Sequence, residues 1–419
     1  MCNNLWFFGK NATILALLTT EDTKNPYRQH LVVVANAPTP YRTHFHLRLV
    51  REMPDVKLTS IFTHEQSNSP WAARMPDLIR PVMFGQGQSS EESWVKNLKH
   101  EWNKGKQIIE LFKTDPPSLV IVNGYADPAR VRVIRWCRQN GLPCFVWGDS
   151  NIRCESRQGW RSWSKSIVLR QILSQACGAM CCGTLGKAYF EYYGVPAERI
   201  FMVPYEPDYE LIRSITPEQK DEAKKRFGLA DHRKRIVFSG RLIPVKRPDL
   251  LIDAFLRVAN QRPDWDLLMV GDGPLREVLK SRIPKDLDSR VVWTGFLDDQ
   301  TTVSALYRSS DVLVLPSDYE PWALVINEAA AAGLAILASD VVGAAEELVE
   351  PGVNGYRFKA GSLEELTDCL LRVTETTQID RLKSASEKVL QRWCERADPV
   401  AGVRQAMTFV RDLTEKRKA

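Results

Sequence analysis

The chain lacks any Cys-x-x-Cys pair, although it holds nine cysteines in 419 residues. Cys177, Cys181 and Cys182 lie close together, but no neighbouring histidine completes a tetrahedral zinc set. No metal site is therefore expected. The odd count and irregular spacing also argue against a disulfide framework, and the thiols read as reduced and buried in a cytoplasmic protein. No apolar run approaches the roughly 20 residues that span a bilayer. The short run ILALLTT (14–20) has little positive charge before it and no small-residue cleavage site after it, so it makes a poor secretory signal. Residues 1–29 are expected to be a poorly ordered leader, and the Asn11-Ala12-Thr13 sequon is then without meaning. The fingerprint GxGxxG is absent, which disfavours a dinucleotide cofactor. Large excess charge is missing too: a net +6 suits an anionic ligand or an anionic membrane surface and requires neither.

What is present fits a globular α/β protein. Hydrophobic residues make up 44% and charged residues 26%, and the length argues for two domains. Short runs rich in Val, Ile and Leu recur. In the first half they are 31–37, 58–64, 119–125, 144–150, 179–184 and 200–206. In the second they are 236–242, 267–273, 291–297, 312–318 and 335–341, with GYRFKA (355–360) as an edge strand. The runs are continuous rather than alternating, as in parallel strands buried on both faces. Helix-like segments such as 127–141, 248–261 and 299–311 lie between them. The repeated β-α order predicts two doubly wound, Rossmann-like domains facing a central cleft. The boundaries expected are 30–212 and 213–390, with a last helix, 391–419, crossing back to the first domain. The charged stretch 216–235 reads as a linker and an exposed helix. Two C-terminal helices are expected, broken near Pro399.

Glycines and polar residues collect just after the strands, where open α/β sheets bind ligands. In SGRLIPVKRPD, Arg241 follows a strand and Lys246 stands five residues on. Two cations beside a helix start suit a phosphate, and equally an ordinary exposed loop. VGDGPLREVL places Gly271 in a tight turn. In YEPWALVINEAAAAG, Pro321 fits a first helical position and Gly333 a C′ position, so a helix is expected over roughly 321–332. Glu320 stands just outside it. Glu328 lies about two turns inside, among alanines and aliphatics, where a carboxylate needs partners.

SGRLIPVK, VGDGPL, TGF, LPSDYEPWALVINEAAAAGLAILASD and EPGVNGYRF, in this order and spacing, resemble the nucleotide-binding half of glycosyltransferase family 4. Members of that family are retaining enzymes with the two-Rossmann GT-B architecture and a Glu–seven residues–Glu signature. The resemblance covers about 236–360. It implies that Arg241 and Lys246 hold the donor diphosphate, that Glu328 meets the ribose hydroxyls, and that Glu320 contacts the transferred sugar. It further implies phosphate contacts from the amides around Trp322, Ala323, Leu324 and Val325. Gly240, Gly271 and the turn Gly295-Phe296-Leu297 would complete the donor site. Where the family has glycines flanking an aromatic residue, this chain has Pro321-Trp322-Ala323, and Ala323 adds a Cβ at a close backbone approach.

In the first half, YRTHFH (41–46) is expected as a loop facing the acceptor. His44 and His46 cannot share a helical face, so one points inward and the other outward. WGDSN ends a strand, and Asp149 is the candidate for a polar contact to the sugar, with Asn123 and Tyr125 as further candidates. Segment 151–170 carries Arg153, Arg157, Arg161, Lys165 and Arg170 against one acid, Glu155, with Trp160 and Trp163 interleaved. It reads as a solvated helix with two core tryptophans, or else as a contact with an anionic membrane. Nucleic acid is not an expected partner. The function implied is transfer of a sugar from a nucleoside diphosphate sugar to a hydroxyl of a glycan or glycolipid acceptor. No other cofactor is expected, and the enzyme is expected in the cytoplasm or at the inner membrane face. A binding module of the same fold without chemistry is the alternative. A nicotinamide oxidoreductase is disfavoured by the missing fingerprint.

Overall fold

The computed structural model describes residues 29–65, 76, 78–79, 81–84, 98–125, 127–155 and 159–418. The expected leader, its sequon and Arg157 lie outside them, except Gln29, which opens the first strand.

Two parallel sheets form the frame. The first contains β1 (Gln29–Ala35), β2 (Val56–Phe62), β3 (Val82–Met83), β4 (Leu119–Asn123), β5 (Cys144–Gly148), β6 (Gly178–Cys181) and β7 (Ile200–Met202). The second contains β8 (Lys234–Ser239), β9 (Trp265–Val270), β10 (Val291–Gly295), β11 (Val312–Leu315), β12 (Ala335–Ser339) and β13 (Gly355–Phe358). Strand orders are β3-β2-β1-β4-β5-β6-β7 and β10-β9-β8-β11-β12-β13. Each sheet therefore reverses direction once, between β1 and β4 and between β8 and β11. These are the switch points where the loops diverge and leave a crevice. The apolar runs of the sequence fall on the strands because a strand covered by helices on both faces has no polar side to show. Strand β13 lies at the sheet edge, as expected.

Side-chain caps set several helix starts. Asp127 accepts from the Arg130 amide (3.0 Å) to open Pro128–Gln139. Asp299 caps Gln300–Arg308 through the amides of Thr301 and Thr302. The charged linker becomes helix Pro217–Phe227, opened by a Thr216–Gln219 capping box and closed by left-handed Gly228. YRTHFH is not a loop: it forms the first turns of helix Pro40–Glu52, started by Pro40. Helix Trp160–Leu173 also differs from expectation, because Trp160 and Trp163 are exposed rather than in the core.

The chain ends in helices Thr376–Arg396 and Pro399–Lys418, broken at Pro399. The second lies on β7 and on helix Pro40–Glu52, so the chain crosses back to the first domain. Gly402 permits this approach: a Cβ there would stand 2.0 Å from the Met202 carbonyl. Arg48 fixes the crossing by donating to Glu206 (2.5 Å) and Asp398 (2.6 Å). Nearer the cleft, Asn151 donates to the Val341 carbonyl (3.0 Å), and Thr184 donates to Glu347 (2.6 Å). Among the described residues no helix is long and apolar enough to cross a membrane.

Candidate active site between the two domains

A cavity of about 740 Å³ lies between the two sets of strand-end loops. Its second-domain wall holds Gly240, Arg241, Lys246, Gly271, Phe296, Leu297, Glu320, Ala323, Leu324, Val325 and Glu328. The first domain contributes the turn after β1 and the start of helix Pro40–Glu52, including Tyr41, Arg42 and His44. Arg241 and Glu320 stand on the loops after β8 and β11, on either side of the second switch point.

The glycines bring these loops close. The Gly240 amide donates to the Val270 carbonyl (2.9 Å), and the Gly271 amide to the Gly295 carbonyl (3.1 Å). Gly271 has φ +125°, and a Cβ on it would lie 2.1 Å from the Gly240 carbonyl oxygen. Only glycine lets the ends of β8 and β9 approach this closely.

Lys246 sits in the 3₁₀ turn Pro244–Lys246, and the Asp318 amide donates to the Val245 carbonyl (2.9 Å) to hold this turn against the β11 loop. Lys246 is thereby paired with Glu320, which is 9% exposed and also accepts from Ser317 (3.4 Å). The pair places a cation and a carboxylate at one point of the cavity wall, each neutralising the other until a ligand competes.

Helix Leu324–Ala331 begins three residues later than the sequence suggests. Pro321–Ala323 are non-helical, and amides of the next helix hold the carbonyls of Glu320 and Trp322: Gly343 donates to Glu320 (3.1 Å) and Ala344 to Trp322 (2.8 Å). Ala323 turns the chain into the helix with φ 81°. The amides of Leu324 and Val325 lie in the first helical turn and have no intrahelical acceptor, so they present positive dipole to the cavity. At the far end Gly333 has φ +75°, and amide bonds from Gly333 to Ala330 (3.1 Å) and Leu334 to Ala329 (3.0 Å) close a Schellman motif.

Glu328 is one turn into this helix rather than two. Gln300 donates to Oε1 (3.1 Å) and Tyr307 to Oε2 (3.1 Å), while the Tyr307 hydroxyl also lies 2.6 Å from that of Ser239. Burial raises the Glu328 pKa, and the two hydrogen bonds pull it part of the way back. Gln300, Tyr307 and Ser239 were not among the expected site residues. The available signal was the seven-residue spacing of Gln300 and Tyr307, which puts both on one side of helix Gln300–Arg308.

Asp149, Gly295 and Trp322 do not line the cavity. Asp149 lies within electrostatic range of Arg42 and Glu320, and its pKa is raised chiefly by burial. Gly295 lies beneath the wall, in contact range of Arg276 and Asp272. Trp322 points toward the first domain because the chain turns at Ala323. Its Nε1 donates to the Tyr205 carbonyl (3.0 Å), and its ring packs 5.8 Å from that of Trp393. Asn123 donates to the Tyr205 hydroxyl (2.6 Å), and Tyr125 lies within hydrogen-bond reach of Ser150 (2.7 Å), so both serve the first-domain interior. His46 is fully buried against Phe62, with a pKa lowered to about 3 by burial, and stays neutral. His44 points to the cavity, within 4 Å of Glu206 and Asp208. Arg42 was not anticipated. It is buried at the cavity edge and donates to the Ala37 carbonyl (2.8 Å). Among the described residues no group of three or more His, Cys, Asp or Glu is placed to hold a metal ion.

Residues 219–389 match the family model described as Glycosyl transferases group 1. The lipopolysaccharide core biosynthesis mannosyltransferase LpsB of Rhizobium meliloti is 33% identical over 286 residues, 61% of this chain and 76% of LpsB. The chain belongs to the group 1 glycosyl transferases. Its match spans about half the length of several other curated relatives, including the alpha-D-kanosaminyltransferase of Streptomyces kanamyceticus (26% identity, 52% of this chain, 53% of the relative). Among solved structures, HepE of Anabaena in complex with UDP superposes with a TM-score of 0.66 at 18% identity, covering 92% of this chain and all of HepE. At that identity the likeness concerns the fold, two facing Rossmann-like domains.

Within this group 1 glycosyl transferase, Arg247 and Ala323 are the non-glycine residues with positive φ among those described, at 50° and 81°. Arg247 directly follows Lys246, and Ala323 lines the cavity, so strained backbone concentrates at this wall. A left-handed alanine costs about 1–2 kcal/mol. Ala323→Gly removes that strain and adds about 0.4–1 kcal/mol of unfolded-state entropy. The variant is expected to unfold at a higher midpoint than the parent in thermal denaturation. A lower midpoint would show that the turn holds alanine without strain.

Proposed function

We propose that the chain is a retaining, metal-independent hexosyltransferase of glycosyltransferase family 4 type. It moves a sugar from a nucleoside diphosphate sugar to an acceptor hydroxyl in cytoplasmic synthesis of a glycan, polysaccharide or glycolipid. The observation that carries this reading is the arrangement of one cavity wall. Arg241, Lys246 and the first amides of helix Leu324–Ala331 supply positive charge, while Glu320 and Glu328 supply acceptors for hydroxyl groups. A diphosphate needs the former and a sugar and ribose the latter. When the sugar–phosphate bond breaks, negative charge grows on the leaving diphosphate, where these fixed donors lower its energy. The leaving phosphate can take the acceptor proton, so no protein base is required. The acceptor would lie against Tyr41, Arg42 and His44 on the opposite wall.

Glu328 tests the donor side. Its carboxylate is already held in place by Gln300 and Tyr307 and has lone pairs left for ribose hydroxyls. Hydrogen bonds to a charged group are worth about 1.5–3 kcal/mol. Titration calorimetry with a panel of nucleoside diphosphates is therefore expected to show Glu328→Gln binding about tenfold to a hundredfold more weakly than the parent. Because burial raises the Glu328 pKa, the parent should begin to lose affinity on acidification at a higher pH than an ordinary glutamate would cause. An unchanged dissociation constant in the variant would remove Glu328 from the donor site.

A further inference from the structure

Helix Trp160–Leu173 turns an apolar side away from the protein. Leu169 and Leu173 point inward and are buried in the first-domain core. Trp160, Trp163, Ile167 and Val168 project from the other side and are 74%, 69%, 48% and 54% exposed. Their spacings of three, four and one bring them into one outward stripe along two helical turns. Single exposed apolar side chains are ordinary, but four contiguous large ones mark an interaction surface.

The charge around the stripe identifies what covers it. Segment 151–170 contains five Lys and Arg residues, of which Arg153 is turned to Glu346 of the second domain (2.8 Å), and a single acid, Glu155. The Glu155 carboxylate is largely buried and bonded to Lys165 (2.7 Å), so the two charges offset each other and the remaining charge of the segment is positive. Lys165 borders the stripe on one flank. Arg170 borders it on the other, with its guanidinium 5.7 Å from the ring of Tyr192, itself 40% exposed. Tryptophans settle at the headgroup level of a bilayer, aliphatic side chains reach the acyl boundary, and flanking cations meet anionic headgroups. An apolar protein groove would fit the stripe alone and leave the basic border unmatched.

We propose that the outward face of helix Trp160–Leu173 docks the protein on an anionic lipid surface, with Trp160, Trp163, Ile167 and Val168 entering the headgroup–acyl boundary. None of the four lines the central cavity. Docking is therefore independent of the transfer reaction and of the proposal made for it.

Co-sedimentation of the full chain with lipid vesicles tests the docking. Binding is expected to vesicles of phosphatidylcholine containing about a third phosphatidylglycerol, to weaken with added salt, and to be slight with phosphatidylcholine alone. The double variant Trp160→Ser, Trp163→Ser and the single variant Val168→Glu should each lower partitioning by about tenfold or more. Trp102→Ser, at an exposed tryptophan elsewhere on the first domain, should leave it unchanged. Circular dichroism would confirm that each variant is folded. Absence of parental binding, or equal binding by both helix variants, would overturn the inference. So would sedimentation velocity showing a dimer of the parent that the double variant abolishes, since the face would then be covered by a second copy.

Discussion

Arg241→Ala is expected to lower the turnover of sugar transfer by about 10²–10³. Arg241 follows β8 at the switch point of the second sheet, and its loop is held by the Gly240 amide on Val270 and the Leu242 amide on Asp272 (both 2.9 Å). Its charge is thus presented at a fixed place on the cavity wall. Lys246 differs because it is already paired with Glu320. Its removal would leave a buried carboxylate uncompensated and mix catalytic with structural effects. Arg241 is exposed on the cavity side, so truncation should leave the fold intact. A donor acting on the developing charge lowers kcat and kcat/KM together, whereas one that only binds donor raises KM. The assay uses a nucleoside diphosphate sugar with the product anomer followed by NMR in the presence of EDTA. Parental turnover in the variant would sink the role given to Arg241. An inverted product would exclude retention, and loss of parental activity in EDTA would exclude metal independence.

Trp322→Ala is expected to destabilise the protein by about 3–5 kcal/mol, the range for truncating a buried tryptophan. The ring is 3% exposed and fills the space between the two domains and the C-terminal helix Thr376–Arg396. Gly183 faces it so closely that a Cβ there would lie 2.8 Å from Cζ3 of the indole. Truncation opens a cavity at this junction and leaves the Tyr205 carbonyl without its Nε1 donor. Trp322→Phe should retain most of the packing and lose the hydrogen bond, about 0.5–1.5 kcal/mol. Denaturant unfolding measures both. The family resemblance instead implies that this residue stands at the donor. In that case Trp322→Ala would weaken donor binding and leave the unfolding midpoint in place, an outcome that would refute its role as a wedge between domains.

The positions of Asp149 and Trp322 show where the sequence stops being informative. Each lies immediately after a strand or beside a helix start, where side-chain direction depends on one or two backbone dihedrals. At Ala323 a positive φ rotates the chain, and the indole faces the first domain instead of the cavity. No periodicity records that rotation. The tryptophans of helix Trp160–Leu173 present the same difficulty. Leu169 and Leu173 supply the buried face, so the sequence holds enough apolar residues for two faces and does not say which is inside.

The sequence by itself determined the two doubly wound sheets, since buried parallel strands need continuous apolar runs. It also determined the strand-end loops that carry Arg241, Lys246 and Glu320, because turn glycines are local requirements of the backbone, and it placed Glu328 on the helix that follows. Tertiary structure alone decided the pairing of Lys246 with Glu320, the support of Glu328 by Gln300 and Tyr307, and the wall supplied by Tyr41, Arg42 and His44. These contacts join residues from separate strand ends, 74 residues apart for Lys246 and Glu320 and 28 for Gln300 and Glu328. They exist only once the sheets have closed, and the free energy that selects them comes from burial shared across the whole domain.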